Sequence, residues 1–166
     1  MSQNEGNSKT VTTVKGREFI VERDFDAPIE LVFKAWTESD RLVQWWGPRG
    51  WTTTNYKMEV KPGGVWHYCM RGPAGEESWG KAVYQEVVEP TRLVYTDAFS
   101  DAEGNIVEGM PVFTITMTFS EQAGKTKLAS YSVLASEEDL QNLLAMGMVE
   151  GLTETWDRLE EYLAAA

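Results

Sequence analysis

The chain has one cysteine, Cys69, and one histidine, His67, in 166 residues. A lone thiol closes no intrachain disulfide and builds no thiolate zinc cluster. A reducing compartment suits that usage. Basic residues are few: 15 Lys and Arg stand against 26 Asp and Glu, for a net charge of -11 and a pI of about 4.6. This excludes the basic footprint of a nucleic-acid binder and makes an anionic membrane surface a poor partner. No hydrophobic run reaches the length of a membrane span, and no basic start is followed by an apolar run. Also missing are a Gly-x-Ser-x-Gly elbow, a phosphate-cradling glycine loop, an internal repeat, and a Pro- or Ser-rich linker. We expect a soluble cytoplasmic protein that inserts in no membrane.

Rings are abundant instead: seven Trp, six Tyr and six Phe. Residues 1–15 are small and polar and are expected to form a disordered tail, although Val11 and Val14 could extend a first strand. Residues 16–166 are expected to form one domain. Phe19, Val21 and Phe25 alternate with Glu22 and Asp24, which predicts a half-buried strand. Pro28, Leu31, Val32, Ala35 and Trp36 predict a short helix, and 39–45 a second, ending at Gly47-Pro48. The period then switches to two. Strands are predicted around Thr52–Tyr56, Val65–Arg71, Trp79–Val88, Arg92–Phe99, Val112–Phe119 and Thr126–Leu134. Ser136 reads as the N-cap of a long closing helix, with Leu144, Met148, Leu152, Trp156, Leu159 and Leu163 along one stripe. Two layers must bury both apolar faces. The expected architecture is therefore α+β: a curved antiparallel sheet of six to seven strands wrapped round a long C-terminal helix, with two short helices after the first strand.

Several segments carry a resemblance. They include Phe25-Asp26-Ala27-Pro28, Lys34-Ala35-Trp36-Thr37, Trp45-Trp46-Gly47-Pro48 and Lys61-Pro62-Gly63-Gly64 with Trp66. Met70-Arg71-Gly72-Pro73, Glu86 with Pro90, Arg92 and Leu93, and Gly147-Met148-Val149-Glu150-Gly151 add to them. Together, from Arg17 to Leu163, the chain resembles bacterial relatives of the C-terminal domain of the activator of the Hsp90 ATPase. That family lies within the helix-grip superfamily (START-like, SRPBCC, birch-pollen-allergen-like), which includes lipid-transfer domains and aromatase/cyclases. The resemblance implies a helix-grip fold with a deep cavity between sheet and long helix. It leaves the reaction, if any, unassigned.

Metal and nucleophile candidates are weak. His67 and Cys69 share one strand face, but zinc needs more ligands. Asp101, Glu103 and Asn105 imitate part of a calcium loop without its glycine or closing Glu. No metal and no cofactor are expected. Residues at i and i+2 of a strand lie about 7 Å apart, so Cys69 reads as structural rather than as a His67-activated nucleophile.

The ring and methionine set is the stronger candidate. Trp66, Tyr68, Met70, Phe113, Met117, Met148, Leu152 and Trp156 should converge between sheet and helix. They would either hold a hydrophobic or aromatic ligand or fill a solid core. One ring of Trp45-Trp46 should cap the core, and the other should either guard the cavity mouth or form an exposed interaction patch; Trp46 is counted with the ligand site. Tyr84 is a candidate polar contact. Glu86 either faces the cavity, as a base or anchor with a raised pKa, or pairs with Lys or Arg on the outer face. Inward facing in the last strand stays open between Leu128, Ser130, Ser132 and Ala129, Tyr131, Val133. The leading expectation is binding of a small hydrophobic molecule, with no catalytic residue assigned. The alternatives are a cavity-based cyclase or hydrolase-like enzyme and an Hsp90-type chaperone cofactor, with a chaperone partner disfavoured and a homodimer left open.

Overall fold

The computed structural model describes residues 9–166. One eight-stranded antiparallel sheet runs in the order β1-β2-β8-β7-β6-β5-β4-β3. Its strands are β1 (Val11–Lys15), β2 (Glu18–Phe25), β3 (Thr52–Met58), β4 (Val65–Arg71), β5 (Glu77–Val88), β6 (Arg92–Phe99), β7 (Val112–Gln122) and β8 (Lys125–Val133). Helices α1 (Ile29–Thr37) and α2 (Ser39–Leu42) follow β2, and α3 (Glu137–Ala145) and α4 (Met148–Ala165) close the chain. This is the expected helix-grip architecture with an added strand. No helix among the described residues is long and apolar enough to cross a membrane.

The added strand is a correction. Residues 1–8 of the expected tail lie outside the described residues, but Val11–Lys15 pairs with Glu18–Glu22 in a hairpin. Pairing with β2 satisfies the backbone groups on one side of the segment, and Thr10 and Thr12 are fully buried. Polar β-branched residues suit a strand as well as a tail.

The closing helix is also corrected. Ser136 caps α3 as expected, its hydroxyl accepting from the Asp139 N–H at 3.0 Å. The chain then breaks at Gly147, whose φ of +89° belongs to the left-handed region. α4 therefore sets its own direction, packing Trp156, Leu159 and Leu163 against the sheet. Trp156 meets Phe25 of β2 with ring centroids 5.9 Å apart.

Arg23 ties β2 to α4. It shares the inward face with Phe19, Val21 and Phe25, and its side chain is 2% exposed. Asp157 and Glu160 each accept from it at 2.7 Å, and the Thr10 hydroxyl at 3.1 Å. A buried guanidinium needs such neutralisation.

Candidate functional site

Between the inward face of the sheet and α4 lies a partly open cavity of about 280 Å³. The sheet supplies Tyr68 and Met70 from β4, Tyr95 and Asp97 from β6, Phe113 and Met117 from β7, and Ser130 and Ser132 from β8. α4 supplies Met148, Gly151, Leu152, Thr155 and Trp156; Trp36 of α1, with Trp46, Gly47 and Pro48, closes one end.

Of the residues expected at the site, Trp46, Tyr68, Met70, Phe113, Met117, Met148, Leu152 and Trp156 line the cavity. Trp66, Tyr84 and Glu86 do not. Trp66 is buried behind Tyr68, stacked at 4.5 Å, and donates to Asn55 Oδ1 at 2.8 Å. Tyr84 is buried beside Tyr95 at a centroid distance of 5.8 Å.

Glu86 points outward and pairs with Arg92 at 2.7 Å, its side chain 48% exposed. The reason is a bulge. Tyr84 pairs with Tyr95, but Glu86 pairs with Val94, leaving Gln85 extra. Ala82 and Tyr84 face inward before it, and Val87 packs on the core after it. A strict alternation carries Glu86 inward; one extra residue reverses the phase.

Helix α2 ends at Leu42 rather than at residue 45, and Trp45 and Trp46 divide from the turn that follows it. Trp45 is fully buried and donates to the Ala35 carbonyl at 3.1 Å, while Trp46 turns to the cavity. In β8, Leu128, Ser130 and Ser132 face inward. His67 and Cys69 are covered on the opposite face. His67 Nε2 lies 3.1 Å from the Asp101 carbonyl oxygen, and burial pushes the Cys69 thiol pKa up, away from nucleophilic chemistry. The Asp101 carboxylate accepts from the N–H groups of Glu103 and Asn105, so it organises its own loop.

Asp97 is the residue that sequence reasoning missed. Its carboxylate accepts from the Tyr68 hydroxyl at 3.2 and 3.1 Å, one distance to each oxygen. Desolvation in the largely apolar cavity pushes its pKa from 3.8 up to about 7, against the lowering effect of Tyr68 and of the Ala98 N–H. A signal was available: Leu93, Tyr95, Asp97 and Phe99 alternate along β6, which puts an acid on a core face.

Tyr68 reaches Asp97 because Gly80 lies opposite it across the β4–β5 ladder. A Cβ at Gly80 would overlap the Tyr68 ring and hydroxyl. Burial, with the Asp97 charge as a further cause, raises the pKa values of Tyr68, Tyr84 and Tyr95.

Among the described residues, the indole N–H groups of Trp36, Trp46 and Trp156 are buried without a hydrogen-bond acceptor. All three rings line the cavity. Edge-to-face packing gives them ring faces as weak partners, with Trp36 5.5 Å from Trp46 and 6.4 Å from Trp156. They remain donors that an acceptor atom on a guest could use.

A strap holds the closed end. Arg158 Nη1 donates to the carbonyls of Trp46, Gly47, Pro48 and Trp51 at 3.4, 2.9, 3.2 and 3.1 Å. Glu154 accepts from the Arg49 N–H at 3.1 Å, and Arg49 also pairs with Glu161. One face of α4 thus fixes the loop over the cavity.

Comparison with known proteins agrees with this architecture. The family described as Activator of Hsp90 ATPase homolog 1-like protein matches residues 26–164. A Mycobacterium smegmatis crystal structure is 29% identical, with a TM-score of 0.85, covering 95% of this chain and 96% of that one. A solution structure from Arthrobacter aurescens gives 28%, 0.87, 93% and 91% in the same terms. One from Staphylococcus epidermidis gives 32%, 0.83, 93% and 93%. No curated protein matches the chain.

Proposed function

The chain belongs to the Activator of Hsp90 ATPase homolog 1-like family, and from that premise we propose that it binds a small, largely apolar ring compound between the sheet and α4. The observation that carries this reading is the cavity of about 280 Å³, walled by rings and methionines around one carboxylate. Its volume matches that of about nine waters and sits just below the usual ligand-pocket range of about 300–1,000 Å³. It suits a compact ring better than a long acyl chain. Methionines 70, 117 and 148 can adapt to an irregular outline. Polar selectivity comes from Asp97, Tyr68 and the unpartnered indole donors.

The test combines native mass spectrometry of the purified protein with NMR titration of phenethyl alcohol, a neutral ring probe. Binding should shift the indole N–H resonances of Trp36, Trp46 and Trp156 and leave that of Trp45 in place. Ser132→Phe, which fills the cavity from β8, should weaken the interaction. A probe that shifts none of the three resonances, with no guest co-purifying, refutes the proposal.

A second reading is favoured by Asp97 itself. A carboxyl with a pKa of about 7 can give or take a proton near neutrality, as general acid–base chemistry requires. In that reading Asp97 replaces Glu86 as the working group of a cavity-based enzyme. Turnover that Asp97→Asn abolishes while binding persists would separate it from binding alone.

A further inference from the structure

We infer that the guest of this cavity is a small arylalkylamine, a ring bearing an aliphatic ammonium group that Asp97 holds; this rests on the cavity-binding reading above and names its ligand class.

The argument begins with an unbalanced charge. Asp97 faces inward from β6, and its side-chain oxygens are held by the Tyr68 hydroxyl and the Ala98 N–H. Two carboxylate oxygens offer about four lone-pair sites, so acceptor capacity remains. Among the described residues, no lysine, arginine or histidine lines the cavity. A carboxylate among apolar walls is costly without a counter-charge. The wall supplies none, and a guest ammonium would.

The walls suit the rest of such a guest. Trp46, Tyr68, Tyr95 and Phe113 line the same space. Ring faces attract a cation as well as an apolar body, and a carboxylate beside them completes an ammonium site. The net charge of -11 draws cations toward the protein and repels anions.

The unpartnered indole donors pull the other way, since they would welcome an acceptor. They are neutral dipoles spread over three rings, whereas Asp97 can carry a full charge. An anionic guest would have to share the cavity with that charge.

The groups facing Asp97 from the neighbouring strands are Tyr68 of β4 and Tyr84 of β5, with Tyr95 on β6 itself. All three have pKa values raised above the ordinary tyrosine range and stay neutral near pH 7. Asp97 is therefore the wall group that titrates there.

Calorimetry of the full chain with phenethylamine, phenethyl alcohol and hydrocinnamate tests this, because the three share a ring and differ in one polar group. At about pH 8 the amine should bind about ten-fold or more tighter than the alcohol, and the acid weakest. Lowering the pH to about 6 should weaken the amine about ten-fold as Asp97 takes up its proton, and change the alcohol little. Asp97→Asn should bring the amine-to-alcohol ratio to about one. Equal binding of amine and alcohol by the unmodified protein overturns the amine assignment and leaves the cavity reading standing. Tightest binding by the acid overturns it too. Failure of all three probes removes the cavity reading and this inference with it. The comparison on the unmodified protein decides the question even where the variant does not fold.

Discussion

Asp97→Asn should stabilise the protein, and only at neutral to alkaline pH. The carboxyl has a pKa of about 7 in the fold against an ordinary 3.8. Because the folded value is raised, the folded state holds the proton more tightly. Stability is then highest below the unfolded value and falls as pH rises through about 7. At about 1.4 kcal/mol per tenfold difference in proton affinity, full ionisation costs about 4 kcal/mol, more than half of it between pH ~5 and ~8. Asparagine is isosteric, keeps an acceptor for Tyr68 and carries no charge. Its buried NH2 group lacks an evident partner, a cost of about 1–2 kcal/mol. The variant should therefore match the native chain near pH ~5 and exceed it by about 2–3 kcal/mol near pH ~8. Urea unfolding of both chains across this range measures the difference. Asp101, Glu160 and Glu161 are held below their ordinary pKa values by hydrogen bonds and ion pairs, so their contributions are lost as pH falls. They are common to both chains and cancel in the difference. Two stability curves that stay parallel from pH ~5 to ~8 would show that Asp97 is not the desolvated acid described.

Gly80→Ala should cost about 1–3 kcal/mol, because the new methyl displaces the Tyr68 ring. NMR titration should also show the Asp97 pKa rising further, since the Tyr68 hydrogen bond lowers it. Arg158→Met should cost about 2–3 kcal/mol in urea unfolding and speed amide exchange over residues 44–51, because the carbonyls that accept from Arg158 lose their shared donor. Glu86→Gln should change stability by no more than about 0.5 kcal/mol and leave phenethylamine affinity untouched, as removal of an exposed ion pair predicts.

Much of the site was legible because period-two patterns carry facing. Tyr68 and Met70 on β4, and Phe113 and Met117 on β7, follow from alternation and do line the cavity. The stripe on the closing helix likewise brought Met148, Leu152 and Trp156 to it. Glu86 failed because a bulge is a change of phase that leaves no mark in composition. Asp97 sits between Tyr95 and Phe99 on an alternating strand, so its inward facing is legible, but its desolvation depends on walls brought in from other strands and from α4. Trp66 has the right face but lies behind Tyr68, and facing does not give depth.

Sequence by itself determined the class of the fold, the inward faces of β2, β4 and β7, the cap at Ser136 and the anionic character of the whole. These rest on local chemistry, which a chain carries with it. Tertiary structure decided that rings converging from sheet and helices stop short of contact and leave about 280 Å³ between them. It also decided that the acid inside is Asp97, that Gly80 makes room for its partner Tyr68, and that α4 starts afresh at Gly147. Each of these depends on distances between segments far apart in the chain, set jointly by twist, bulge and packing, and no local pattern encodes them.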